Sequence, residues 1–416
     1  MRSRLRIIVA GMAAQYPVGG VAWDYLQYPI GLARLGHDVV YHEDSWCWPY
    51  HPLQRTMTDD PAYSAGYLHD FFARYAPELA DRWHYLHLHE TSCGMSRADF
   101  DAVARSADLF INVSGASMFP EALAANCRTL FIDSDPGYNQ IVLSERPSWS
   151  ENVERWCAGV FAHDRHFTYG ENIGAPDCGV PTSGLTWHPT RMPVVPDLWP
   201  PRAGPVAASA PWSTVMTWNV FKGRLEYRGV EYRGKSAEFA KIAGLPRRLG
   251  LPFRVAVGGT EAPLEALAAQ GWTAEDGPSV TLTPRDYQAY LAASRGEVSV
   301  AKHVYVALRT GWFSTRTACY LMMARPAVVQ DTGFARLLPT GHGLHAFSTA
   351  DEAAAAIEAV ERDFAANTWP AFQRVVLDEL SADAVAAELG MTVNAVLIAK
   401  SRVLSRLRQE ASGMVD

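Results

Sequence analysis

Short, unbroken apolar runs that stop at Gly or at a polar residue, alternating with helix-like segments, most narrow the folds open to this chain. Leu5–Ala10 is such a run and stops at Gly11, as expected of a parallel strand buried on both faces. A loop with Gly19 and Gly20 leads into a helical pattern over Val21–Leu35, with Gly36 placed to cap it. Asp38–Tyr41 reads as the next strand and runs into Glu43 and Asp44. Ala107–Val113, Thr129–Ile132 and Gly159–Ala162 read as three more strands, followed by Ser114-Gly115, Asp133 and His163-Asp164. Polar residues just past strand ends are what a parallel sheet delivers at its carboxyl edge.

From Thr186 to Pro211 the sequence turns Pro-rich, and a second series then starts. Its strands are Ser213–Thr217, Phe253–Val257, Val280–Leu282 and Ala327–Val329. Its helices are Ser236–Leu245, Pro263–Gln270, Pro284–Ser294, Ser314–Ala324 and Asp351–Phe364. The expected architecture is α/β: a Rossmann-like domain over 1–188, a linker over 189–211, a second Rossmann-like domain over 212–366, and a small all-α segment over 367–416. At 416 residues the chain is long enough for two such domains.

A formal charge of -7 argues against a nucleic-acid binder that uses its whole surface, because phosphate contacts need a basic face. The six Cys occur without a CxxC pair and read as free thiols of a reducing compartment. The basic start before Ile7–Ala10 has the outline of a signal peptide, but the apolar run is too short. A buried first strand and a cytoplasmic protein are expected. No run approaches the roughly 20 apolar residues of a membrane span.

Four stretches of the second series, Ser299–Lys302, Arg309–Arg316, Gln330–Phe334 and Gly341–Phe347, resemble the donor half of bacterial GT-B glycosyltransferases. Tyr16–Gly20 with Gly31–Asp38, and His163–Asn172, resemble the same enzymes. The resemblance spans roughly residues 1–365 and implies two Rossmann-like domains facing a cleft. It further implies transfer of a sugar from a nucleotide-diphosphate donor, on the second domain, to an acceptor on the first, with no metal or other cofactor.

Physical chemistry selects candidates for that reaction. Lys235, Lys302, Arg309 and Arg316, with Ser299, Ser314 and Thr315, sit at strand–helix junctions, where cations and free helix amides attract a diphosphate. Asp331, Thr332 and Gly333 follow a strand and are candidates for the sugar. Gly19 and Gly20 read either as a turn or as a phosphate or acceptor contact. Asp133 and Asp135 lead the catalytic candidates, followed by Asp24 and His163; helix capping or turn stabilisation is the alternative role. Asp133-Ser134-Asp135 also matches the metal-binding DxD triplet of GT-A enzymes, a one-domain fold that leaves the second series without a counterpart. His84, His87 and His89 suggest a metal site, but no single helix or strand geometry serves all three.

The end of the chain departs from the GT-B pattern. Leu380–Leu389, Gly390 and Met391–Leu407 read as helix, tight turn, helix, and Ala386–Gly390 with Ala399–Arg408 resemble region 4 of extracytoplasmic-function sigma factors. That resemblance implies DNA contacts at Thr392, Asn394, Lys400, Arg402 and Arg406. Packing of apolar Val385, Leu389, Val396 and Leu404 against the body, or a fusion without DNA function, remain open beside it. A DNA-binding regulator with a nucleotide-sugar-sensing body is the alternative function. A Rossmann oxidoreductase ranks third, since no GxGxxG follows the first strand.

Overall fold

The computed structural model describes residues 4–145, 150–200, 206–219, 225–259 and 262–367. The helix-turn-helix-like segment, with Thr392, Asn394, Lys400, Arg402 and Arg406, lies outside the described residues.

The first series builds one sheet from β1 (Arg6–Ala10), β2 (Asp38–Ser45), β3 (Trp83–His87), β4 (Thr91–Gly94), β5 (Leu109–Val113), β6 (Arg128–Asp133), β7 (Arg165–Thr168) and β8 (Trp187–Pro189). Their order across the sheet is β8-β7-β6-β5-β1-β2-β3-β4, and every pair is parallel except β3–β4. Ile7–Ala10 are buried because β2 and β5 flank β1 and helices cover both faces, so β1 needs apolar side chains throughout. Helix α1 (Gly19–Arg34) follows β1.

The second series gives β9 (Trp212–Thr217), β10 (Phe253–Gly258), β11 (Trp272–Asp276), β12 (Gly296–Ser299), β13 (Ala327–Gln330) and β14 (Leu344–Phe347), all parallel, in the order β11-β10-β9-β12-β13-β14. Strand order reverses between β1 and β5 in one sheet and between β9 and β12 in the other. Such switch points open a crevice at the carboxyl ends of the strands.

Two expected strands are corrected. Gly159–Ala162 is the last turn of α2 (Glu151–Phe161), which Ser150 starts by accepting the Val153 N–H; the strand begins later, at Arg165. Val280 ends a short helix over Gly277–Val280, with Thr281 and Leu282 in the loop after it, and the strand lies upstream at β11. That strand is an edge strand with exposed or half-exposed Thr273, Glu275 and Asp276, so it lacks the solid apolar run that marks a buried one. Strand β2 continues through Glu43 and Asp44 to Ser45. Buried Glu43 accepts hydrogen bonds from Ala14 N (2.6 Å), Gln15 N (3.1 Å) and the Tyr41 hydroxyl (2.5 Å), so it fastens the β1–α1 loop.

Helix α1 joins the two halves. It packs on α4 (Pro284–Ala292) and α5 (Thr315–Met322), and one hydrophobic cluster runs from Trp23 and Trp199 to Tyr287, Tyr290 and Tyr320. The Trp23 indole N–H donates to Pro284 O at 3.0 Å, and the Trp23 and Trp199 rings meet edge-on with centroids 4.9 Å apart. The Pro-rich stretch follows the same surface, with Val195 N and Trp199 Nε1 both donating to Gln27 Oε1 at 2.9 Å.

Candidate functional site

The carboxyl edges of the two sheets meet across α1. Asp24, near the start of that helix, remains open to water in the gap. Thr315, at the start of α5, whose hydroxyl donates to Met192 Sδ, lies close enough with Lys235 and Arg316 to favour the charged form of Asp24. Protein on both sides of the gap nevertheless thins the water around Asp24, and this desolvation raises its pKa to about 6. A carboxylate that exchanges its proton near neutrality is suited to acid–base work.

Facing it is a group of cations. Lys235 begins α3 (Lys235–Ile242), and Lys302 follows β12 by three residues. Burial first, then the charges of Arg316 and Lys302, lower the Lys235 ammonium to about 7. Among the described residues no carboxylate stands within ion-pairing distance of Lys235, whereas Lys302 pairs with Asp135 and Arg316 with Glu297 at 2.6 Å. Lys235, which has no ion pair among the described residues, is the cation that an added anion would stabilise most.

Helix α5 adds its dipole to this group. Ser314 caps it without a side-chain bond, and the amides of Thr315, Arg316 and Thr317 have no partner among the described residues. Beside this turn lies a small pocket between the ends of β12 and β13, lined by Ser299, Ala301, Trp312, Phe313, Ser314 and Gln330, among others. The Ser299 hydroxyl donates to Glu297 Oε1 at 2.8 Å.

Several sequence candidates prove to be engaged elsewhere. Asp133 is fully buried, and its oxygens accept from Asp135 N (3.0 Å), Asn139 (2.6 Å), Gln140 (2.7 Å) and Thr168 (2.6 Å). It organises the β6 loop. Asp133→Asn is expected to lower stability by about 1–3 kcal/mol in urea unfolding, because an amide N–H₂ would face existing donors. His163 is buried against Phe119 and Phe131, with Nδ1 at 2.8 Å from Gly159 O; burial lowers it to about 4, so it stays neutral and away from the cleft. Asp135 reaches across the gap to Lys302 and accepts from the Tyr305 hydroxyl.

Arg309 holds Asp177 at 3.0 Å, on the segment that docks Asn172 N onto Thr310 O, so it ties the halves together. Asp331 caps its own turn, accepting from Gly333 N (2.9 Å) and Ala335 N (3.2 Å), while the Thr332 hydroxyl donates to Trp312 O (2.6 Å). This loop buttresses residues 309–312. Gly19 lies against the second half, its N–H donating to Leu282 O at 2.9 Å, and a Cβ there would come within 2.4 Å of Thr283 O. Gly20 sits against the Tyr287 ring. The three histidines do not converge: His84 stacks on Phe100, His87 meets Asp59 O, and His89 pairs with Asp44.

Glu297 was absent from the sequence candidates, although it fixes Arg316 from the floor of the site. An acid in the middle of a short apolar strand was the available signal. Also missed is the hydroxyl chain Tyr25–Ser114–Ser134, with links of 2.7 and 2.5 Å, which lines the first sheet's edge.

No family model and no curated protein shows a sequence match to the chain. Among solved structures, an α-glucosyltransferase in complex with UDP and a 13-mer DNA containing an HMU base matches with a TM-score of 0.50 and 9% identity, over 88% of this chain and 93% of that one. Anabaena Alr3699/HepE in complex with UDP and glucose matches with a TM-score of 0.50 and 10% identity, over 97% of this chain and 99% of that one. At such identity the likeness speaks for the fold alone. With its two largely parallel sheets, the chain shares the GT-B fold of those structures.

Proposed function

We propose that the chain is a glycosyltransferase that moves a sugar from a nucleotide-diphosphate donor to a hydroxyl acceptor. The acceptor oxygen bonds to the anomeric carbon as the bond from that carbon to the diphosphate oxygen breaks. The diphosphate leaves with the electron pair, and the acceptor's proton passes to Asp24. Lys235, Lys302 and the first-turn amides of α5 neutralise the charge growing on the leaving group. Arg316 is a positioning residue, held by Glu297 and by Val215 O at 2.6 Å. No metal is assigned a part.

The convergence of Asp24 from one half with Lys235 and the start of α5 from the other carries this reading. The solved structures of this fold that hold UDP agree with it. The DNA-binding alternative depends on residues 367–416, nearly all outside the described ones, and the site offers it no support.

Thermal-shift measurements against UDP, GDP, dTDP and their sugars test the donor site. At least one is expected to stabilise the protein, by about 2.7 kcal/mol at a hundred times its Kd. Lys235→Ala is expected to weaken that binding by roughly 1.5–3 kcal/mol, the range for a charge-assisted hydrogen bond. A pH dependence accompanies it. Lys235 is lowered to about 7 in the free protein, and a bound anion raises it again, so binding takes up a proton above pH 7. Affinity for the nucleotide sugar therefore falls as pH rises past 7, by up to about tenfold per unit, and the alanine variant loses this slope. Stabilisation by none of the nucleotides, or equal stabilisation of the variant, rules the donor site out.

A further inference from the structure

Large apolar side chains exposed side by side on a folded chain mark a surface that something covers. Seven are exposed among the described residues, and five of them, Tyr16, Trp46, Trp48, Leu53 and Met57, belong to the two adjoining segments that follow β1 and β2. These segments lie on the carboxyl edge of the first sheet, the edge that also bears Asp24. They are fastened to each other: Tyr50 N donates to Gln15 O at 2.8 Å, Gln15 Nε2 to Trp48 O at 3.2 Å, and Ser45 Oγ to Gln15 Oε1. Arg55, in the hairpin turn between Tyr50 and Met57, reaches Asp276 of the second half at 2.7 Å. The hairpin turn thus borders the second half, the Tyr16 ring lies 6.4 Å from the Tyr50 ring, and Tyr16 stands three residues ahead of α1.

Charge and polarity around the patch narrow its occupant. Arg155, over the Trp46 ring, pairs with Glu151 at 2.8 Å; Arg97 pairs with Glu121 at 2.8 Å; and His89, stacked on Trp46, pairs with Asp44 at 2.8 Å. These cations already have carboxylates, which disfavours a phosphate chain or an anionic lipid surface. The Gln15 amide and Ser45 hydroxyl are spent on the loop itself, leaving little to satisfy the many hydroxyls of a saccharide. Gln54 and Thr56 are exposed at the hairpin turn, whereas at Trp48 and Tyr16 what is open is mainly ring face, on the order of a few hundred Å². A stable protein partner covers about 800 Å².

Resting on the reading of the chain as a glycosyltransferase, we infer that this surface is the acceptor platform and that the acceptor is a small, uncharged molecule with an aromatic or fused-ring body and a free hydroxyl. The body lies against Trp48 and Tyr16, and the hydroxyl extends along the sheet edge toward Asp24.

Ligand-observed NMR titrations of the full chain test this with 4-methylumbelliferone, a hydroxyflavone and a hydroxyanthraquinone, beside maltose and a single-stranded oligonucleotide. At least one phenol is expected to bind, and Trp48→Ala and Tyr16→Ala are each expected to weaken it about three- to tenfold. Nucleotide stabilisation in the same samples reports that the variants are folded with the donor site intact. Binding of none of the phenols, binding unchanged in both variants, or binding of maltose or the oligonucleotide that Trp48→Ala abolishes would overturn the inference. Absence of nucleotide stabilisation in the wild type, with phenol binding still dependent on Trp48, would instead reject the donor reading and leave a ring-binding surface.

Discussion

Asp24→Asn is expected to slow release of the nucleoside diphosphate by about 10²–10⁴, the contribution of a well-placed general base. Donor binding should change little, because Lys235 and the α5 amides stay in place. Initial rates of diphosphate release, with acceptor or with water as the attacking hydroxyl, measure the first effect, and thermal shifts measure the second. The pH profile identifies the residue. Asp24 is raised to about 6 by the thinned water of the gap, so the wild-type rate should climb as pH passes 6 and the carboxyl loses its proton. The asparagine variant should lack that limb. Stability moves the opposite way: a raised carboxyl holds its proton longer in the folded state, so stability declines as pH rises from about 4 to 6. The variant should accordingly be no less stable than the wild type at pH 7. A rate within a few-fold of wild type, with the limb intact, removes Asp24 from the mechanism.

The second large effect concerns the floor of the site. Arg316→Ala leaves the Glu297 carboxylate fully buried without its partner, and leaves Val215 O without the guanidinium donor. Removal of one member of a buried pair costs about 3–5 kcal/mol. Urea unfolding followed by circular dichroism should register a fall of that size. Combining Arg316→Ala with Glu297→Gln should recover part of it, since the stranded charge is gone. A fall below about 1 kcal/mol would mean that water or another cation replaces the guanidinium. Arg316 would then be free to act on the donor directly.

The α/β architecture was legible wherever strands are sandwiched. Leu5–Ala10, Ser213–Thr217 and Ala327–Val329 each coincide with an observed strand to within about a residue, because a strand covered on both faces has no room for polar side chains. Legibility failed where one-sided burial breaks that run. β11 alternates as an edge strand, and the apolar end of α2 imitates a strand once its Ser150 start is overlooked. For the site, position relative to the strand ends singled out Asp133 and Asp135 ahead of Asp24. Position does not reveal partners. The saturation of Asp133 depends on Asn139, Gln140 and Thr168, and Thr168 arrives from a neighbouring strand. Asp24 takes its raised pKa from desolvation between the halves, which Thr315 and Lys235, nearly 300 and more than 200 residues away, only partly oppose, a proximity set by how α1 docks on the second half.

That docking also decides how the molecule can breathe. On one side the halves share an oily seam of interlocked rings at Trp23, Trp199 and Tyr287. On the other, beside the ion pairs of Asp135 with Lys302 and of Asp177 with Arg309 and Arg336, Ile141 and Val180 of the first half pack on Val304, Tyr305 and Leu308 of the second. Buried apolar contact, which water does not dissolve, thus braces both flanks, and the ion pairs add little to it. The halves are pinned on either side of the gap, and α1, with Asp24 on it, is a fixed axle.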